Sequence, residues 1–163
     1  MLRKLWTDFI SLILQRPSRY QVAALCWREA GHGKAGAAIE ILLISSRTTK
    51  RWILPKGWPK TGQDAAGTAL EEAWEEAGIR IDGPPPQKIG RYSYRKRLEG
   101  GVPVHTVVDV YAIHADRLLD IYPEAGQRDR QWFSPEKAAQ HVQEPDLASL
   151  LRNSSRLIAT LPS

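Results

Sequence analysis

One cysteine in 163 residues leaves this chain without an intramolecular disulfide or a cysteine-rich zinc centre. That residue, Cys26, stands in the apolar run Val22-Ala23-Ala24-Leu25-Cys26-Trp27 and reads as a small buried filler, not a nucleophile. No apolar run is long enough to span a bilayer, and no small-residue cleavage site follows the N-terminal hydrophobic residues. Nothing therefore supports secretion, and a cytoplasmic protein is expected. No internal repeat is visible, and nothing specifies an oligomeric state. What remains is ordinary globular text, 42% hydrophobic and 25% charged, in the length range of one domain. Such a chain buries roughly 70% of its unfolded surface in a single core and needs no staples. Lys and Arg outnumber Asp and Glu by 23 to 18, a formal charge of +5, so the expected partner is anionic.

Along the chain, Leu2, Leu5, Trp6, Phe9, Leu12 and Ile13 recur at helical spacing and predict an amphipathic helix over 1–16, ended by Pro17. It reads as packed on its own domain; a membrane-surface helix, with Arg3 and Lys4 at one end, is the alternative. Residues 17–163 form the single domain. Strands are expected over 20–27, 39–45 and 52–54, with Gly31, Gly33 and Gly36 marking a hairpin loop after the first. Pro55, Gly57, Pro59 and Gly62 argue against regular structure before a helix over 64–78. Thr61 followed by Asp64 resembles a capping box, Gly78 a C′ residue, and Ala66, Ala69, Leu70, Ala73 and Ala77 the core face. Further strands are expected over 88–97, 102–113 and 130–133, with 116–120 as a connection. Ser134-Pro135-Glu136 opens a helix, and a last apolar stretch covers 147–161.

The informative segment is Glu71-Glu72-Ala73-Trp74-Glu75-Glu76-Ala77-Gly78. On a helix Glu72, Glu75 and Glu76 fall within about 100° of one another, with Glu71 on the flank. Like charges at this spacing destabilise a helix by a few tenths of a kcal/mol per pair. Near the C-terminus the macrodipole adds roughly 0.3–1 kcal/mol against each. No Lys or Arg lies between Asp64 and Ile79 to compensate. A solvated acidic face is the simple reading of most such clusters; a hard divalent cation, Mg²⁺ or Mn²⁺, relieves the repulsion directly.

Gly57, five residues, Gln63, seven residues, then Glu71-Glu72-Ala73-Trp74-Glu75-Glu76-Ala77-Gly78-Ile79 resembles the box of the Nudix hydrolase family. Two positions depart: Gln63 stands where the family has Glu, and Glu71 where it has Arg, the residue that helps to orient the neighbouring Glu. Arg47 and the run Arg51-Trp52-Ile53-Leu54-Pro55-Lys56-Gly57-Trp58-Pro59, with His105 and Arg128-Asp129-Arg130-Gln131-Trp132-Phe133 downstream, resemble the branch that handles diphosphoinositol and diadenosine polyphosphates. The resemblance covers about residues 19–150. It implies an α+β fold, the Nudix α/β/α sandwich around a central mixed β-sheet.

It also implies hydrolysis of a phosphoanhydride in a highly phosphorylated substrate: diphosphoinositol polyphosphate, dinucleoside polyphosphate or inorganic polyphosphate. Glu72, Glu75 and Glu76 are the implied catalytic carboxylates and, with Gly57, the implied metal site, with Glu72 the first choice of base and Glu99 and Glu124 as candidates outside the box. Ser45, Arg47, Arg51, Lys56, His105, Arg128 and Arg130 are the implied substrate contacts. For Lys50 and Lys60 an ordinary solvated charge is the favoured reading. Arg91-Tyr92-Ser93-Tyr94-Arg95-Lys96-Arg97 interleaves aromatics with cations, a pattern that also grips single-stranded RNA. An RNA 5′-end pyrophosphohydrolase is thus one alternative, with nucleic acid the second class of partner; a binding module impaired at Gln63 and Glu71 is the other. Trp58 and Trp74 either stack on a base or pack in the core.

Overall fold

A strand that is apolar at successive positions must be covered on both faces. Val22 to Cys26 are all fully buried in β1 (Arg19–Glu29), the strand about which the fold is built. The computed structural model describes residues 4, 19–31, 38–97 and 103–163; the expected helix over 1–16 otherwise lies outside the described residues. β1 forms the expected hairpin with β2 (Ile39–Ser45), which continues into β3 (Trp52–Ile53). Along its length β1 pairs in parallel with β7 (Pro103–His114), from Arg19 opposite Thr106 to Trp27 opposite His114. β6 (Gln87–Arg97) lies antiparallel outside β7, with a bulge between Lys88 and Gly90. The sheet order is β3-β2-β1-β7-β6, with β9 (Arg130–Phe133) added antiparallel to β2.

Alternate residues of β1 feed two cores. Val22, Ala24 and Cys26 face Ala69, Ala73 and Ala77 of α1 (Ala65–Ala77). Ala23 and Leu25 face Leu147, Leu150 and Leu151 of α3 (Pro145–Arg152), flanked by α2 (Pro135–His141) and α4 (Ser154–Ala159). The result is the expected α/β/α sandwich around a mixed sheet. Complete burial pushes the Cys26 thiol up to about 12, so it is a packed, inert side chain. Among the described residues no helix is long and apolar enough to cross a membrane.

Four local expectations need correction. The cap of α1 is Asp64 itself, whose carboxylate accepts the Gly67 N–H at 2.7 Å; Thr61 does not cap it. The buried face of α1 also turns further than expected: Thr68, Glu72 and Glu76 are buried, while Ala66 and Leu70 are only half-buried. Regular structure survives in the Pro/Gly-rich approach, because Lys56 and Gly57, flanked by prolines, form β4 and pair with Ala23 and Val22. Finally, Ile79–Arg80 (β5) pairs with Arg117–Leu118 (β8), the segment expected to be a plain connection.

Candidate active site

β4 and α1 meet at one point. Gly57 lies against Glu72 so closely that a Cβ there would collide with the carboxylate. The pairing of β4 with β1 fixes the backbone of Gly57, so the floor of the site is anchored to the centre of the sheet. Gly78, at φ 70°, ends α1 and donates its N–H to the Trp74 carbonyl at 3.0 Å.

Above this floor opens a cleft of about 880 Å³, reached by Glu72, Glu75 and Glu76 from α1, by Lys56 and Lys60 from the β4 region, and by Arg128. The expected trio is therefore brought together on one wall. Glu76 accepts the Lys56 N–H at 3.3 Å and faces the Arg128 guanidinium at 3.3 Å. Burial is the largest influence on its carboxyl, which is pushed up to about 7; Arg128 pulls it back, and Glu72 and Glu124 add to the rise. Burial likewise raises the Glu72 carboxyl, against the pull of Lys60.

Lys60 is the largest departure from expectation. It is not a plain solvated charge: its Nζ lies 2.9 Å from Glu71, 3.2 Å from Glu75 and 3.5 Å from Glu72. The helix has no cation of its own, and the preceding loop supplies one. The two box departures meet beside it, since Glu71 is held below the ordinary carboxylate range by hydrogen bonds from Lys60 and then Gln63.

The other expected contacts divide. Arg128 is buried, with its Nη1 donating to the Ser45 carbonyl at 3.1 Å and its Nε unpartnered. Arg47 and Arg51 line the cleft from the turn between β2 and β3, paired with Glu124 at 3.4 Å and Glu144 at 3.6 Å. Glu124 also lines the cleft, tied to α1 by its N–H on the Glu75 carbonyl at 3.0 Å, whereas Glu99 lies outside the described residues. Ser45 and Arg130 do not reach the cleft. The Ser45 hydroxyl is buried and accepts the Asp129 N–H at 2.8 Å. Arg130 donates to the Ala77 and Leu119 carbonyls at 2.9 and 2.7 Å, bracing the C-terminus of α1. His105 is exposed on β7 opposite Arg95 and is not part of the cleft wall.

Gln21 escapes sequence reasoning, which leaves the roles of Tyr94 and Trp58 open. Gln21 accepts the Tyr94 hydroxyl proton, and both line the cleft; a polar side chain within apolar strand text was the available signal. Trp58 stands at the cleft, 39% exposed, with the Arg19 guanidinium 5.7 Å from its ring. Trp74 packs beneath Arg80, away from the cleft.

Hard oxygen donors, two of them buried, fit a divalent cation. Among the described residues no three acidic or imidazole groups converge closely enough to cage one unaided. Mg²⁺ usually completes its shell with water and substrate phosphate, so an incomplete protein cage suits it.

The NUDIX domain model matches residues 19–154, and the chain belongs to the Nudix family. Among curated proteins it is similar to Nudix hydrolase 4 of Arabidopsis thaliana, 27% identical over 130 residues, which are 78% of this chain and 56% of that protein. It is also similar to human diphosphoinositol polyphosphate phosphohydrolase 3-alpha, 29% identical over 126 residues, 76% of this chain and 68% of that one. A solved structure of a C. elegans Ap4A hydrolase binary complex superposes with TM-score 0.64 at 21% identity, over 88% of this chain and 99% of the other. The chain thus spans little more than half the length of the Arabidopsis relative.

Proposed function

We propose that this chain hydrolyses a phosphoanhydride bond in a highly phosphorylated small molecule with the help of a divalent cation. The observation that carries the reading is the cleft itself, with a wall of glutamates on α1 facing Arg47, Arg51, Lys56 and Arg128. An acidic wall alone repels polyphosphate, and a basic wall alone binds it without chemistry. Together they suit a phosphate chain held by guanidinium forks, with its reacting phosphorus turned toward the carboxylates. Glu72, Glu75 and Glu76, with the backbone of Gly57, would hold the cation, Mg²⁺ or Mn²⁺. When bound it neutralises phosphate charge and acidifies water.

Glu72 is the base of this proposal. Its carboxylate is buried at the cleft floor, and desolvation raises its proton affinity. Arg128 opposes the rise that burial imposes on Glu76 and holds that carboxylate in place. Arg47 and Arg51 line the cleft from the turn between β2 and β3 and would take the distal phosphates of a diphosphoinositol, dinucleoside or inorganic polyphosphate.

The test is phosphate or nucleotide release across a panel of these three classes and a 5′-triphosphorylated RNA, with and without Mg²⁺ or Mn²⁺. The expected result is metal-dependent release from at least one small polyphosphate. Glu75→Gln should lower it by about tenfold or more, with unchanged melting. If neither protein turns over any substrate while both bind it alike, the chain is a binding module. If only the RNA is cleaved, the small-molecule reading fails.

A further inference from the structure

With Glu71 in place of the box Arg and Gln63 in place of the box Glu, the site is two charges more negative at the first position and one less negative at the second. The structure answers at a third position, among the five residues between Gly57 and Gln63. The Lys60 ammonium has three N–H donors and meets three carboxylates, Glu71, Glu75 and Glu72, at 2.9, 3.2 and 3.5 Å. The Lys60 N–H also reaches Thr68 Oγ1 at 3.5 Å, placing the loop over the helix. Two of these carboxylates, Glu72 and Glu75, are those assigned to the cation.

Resting on the function proposed above, we propose that Lys60 is a placeholder cation: it sits among Glu71, Glu72 and Glu75 in the metal-free protein and must be displaced by the divalent ion, so that it sets the affinity of the site by competition. An ammonium and a divalent ion cannot share the same oxygens, because their mutual repulsion at contact distance offsets the attraction of each. Displacement needs no unfolding. The Lys60 side chain is about one-third exposed, sits on a flexible four-carbon stem and already lines the cleft. Once displaced, it faces the space in which substrate phosphates would lie. A residue that merely positioned the carboxylates would have the opposite effect, since its removal would weaken metal binding.

The experiment titrates Mn²⁺ alone, then Mg²⁺ alone, into the chelator-treated full chain by calorimetry, without substrate. Wild type is compared with Lys60→Met, Lys60→Arg and, as a charge control, Lys137→Met on the exposed side of α2. Lys60→Met should bind about three- to tenfold more tightly, with Lys60→Arg and Lys137→Met like wild type. Lys60→Gln replaces Lys60→Met if the latter does not fold. Equal or weaker binding by the neutral variant overturns the proposal, as does equal tightening by Lys137→Met. If the metals bind wild type and only the tightening is missing, the placeholder fails alone. If neither metal binds any variant, the metal-dependent function fails with it.

Discussion

Adding one methyl group at Gly57 tests the site where its tolerance is smallest. The backbone there does not need glycine for its dihedral angles; it needs the empty space. A Cβ on residue 57 would lie roughly 1 Å inside van der Waals contact with the Glu72 carboxylate. The strand cannot withdraw, because Gly57 pairs with Val22 and the neighbouring Pro55 carbonyl accepts the Ala24 N–H at 2.9 Å. Glu72 must therefore move, and since the clash involves the tip of a flexible side chain, the cost in stability should fall near the low end of the 1–3 kcal/mol typical of overpacking. The cost in rate should be larger. A reacting group misplaced by about 1 Å loses on the order of 10²-fold, or about 2.7 kcal/mol of activation free energy. Gly57→Ala should thus melt close to wild type while phosphate release from the best panel substrate falls by about that factor. Mn²⁺ titration of the same variant should show weakened binding. Wild-type turnover with wild-type metal affinity would refute the assignment of Glu72 to the chemistry.

Arg128→Met should be the most destabilising change in the cleft. It strands Glu76 and Glu124 beside a buried aliphatic side chain, costing about 3–5 kcal/mol in urea unfolding, while a loss near zero would show that the pair is already solvated. His114 is bonded to Glu29 at 2.8 Å and Asp116 at 3.0 Å. Burial opposes its protonation, but the two carboxylates outweigh burial and raise its pKa, while Glu29 and Asp116 are lowered. A raised histidine stabilises fully below its unfolded value and loses that contribution as pH climbs through the folded one. The lowered acids contribute above their unfolded values and lose it on acidification. The cluster therefore contributes most between about pH 4.5 and 6.5. His114→Gln should lower the urea midpoint at about pH 6 and approach wild type by about pH 9, and a gap constant with pH would refute the linkage.

Long periodic elements were legible from residue types alone. β2 and β9 lie over the expected residues, and α1 begins and ends beside Asp64 and Gly78 as read from turn chemistry. Of the two-residue strands, β3 was expected over 52–54, but β4, β5 and β8 were not, because they exist only through their partners and carry no periodicity. At the site, carboxylate spacing placed Glu72, Glu75 and Glu76 together, since a helix converts spacing into direction. The cations had no such ruler. Lys60 reaches the helix across a loop, and Arg130 and Ser45 spend their polar atoms on carbonyls and amides of the scaffold. Resemblance ranked those two as substrate contacts because it reads position along the chain, whereas hydrogen-bond partners are set by tertiary packing.

The parallel pairing of β1 with β7 has a kinetic consequence. β1 is the first described strand to leave the ribosome, yet the edge running from Arg19 to Trp27 waits for residues 106–114 before it is paired. Until then β1 has only the short pairings with β2 and β4 and the cover of α1 on one face. Contacts so distant in sequence slow folding, and an unpaired apolar edge is a template for aggregation during the delay. Nor can a fragment ending before β7 hold the cleft, because the strand that anchors Gly57 would itself lack its main partner. The strand beneath Gly57 and the carboxylates of α1 is completed only once β7 has been made, so until then one edge of β1 stays open and the site lacks its full support.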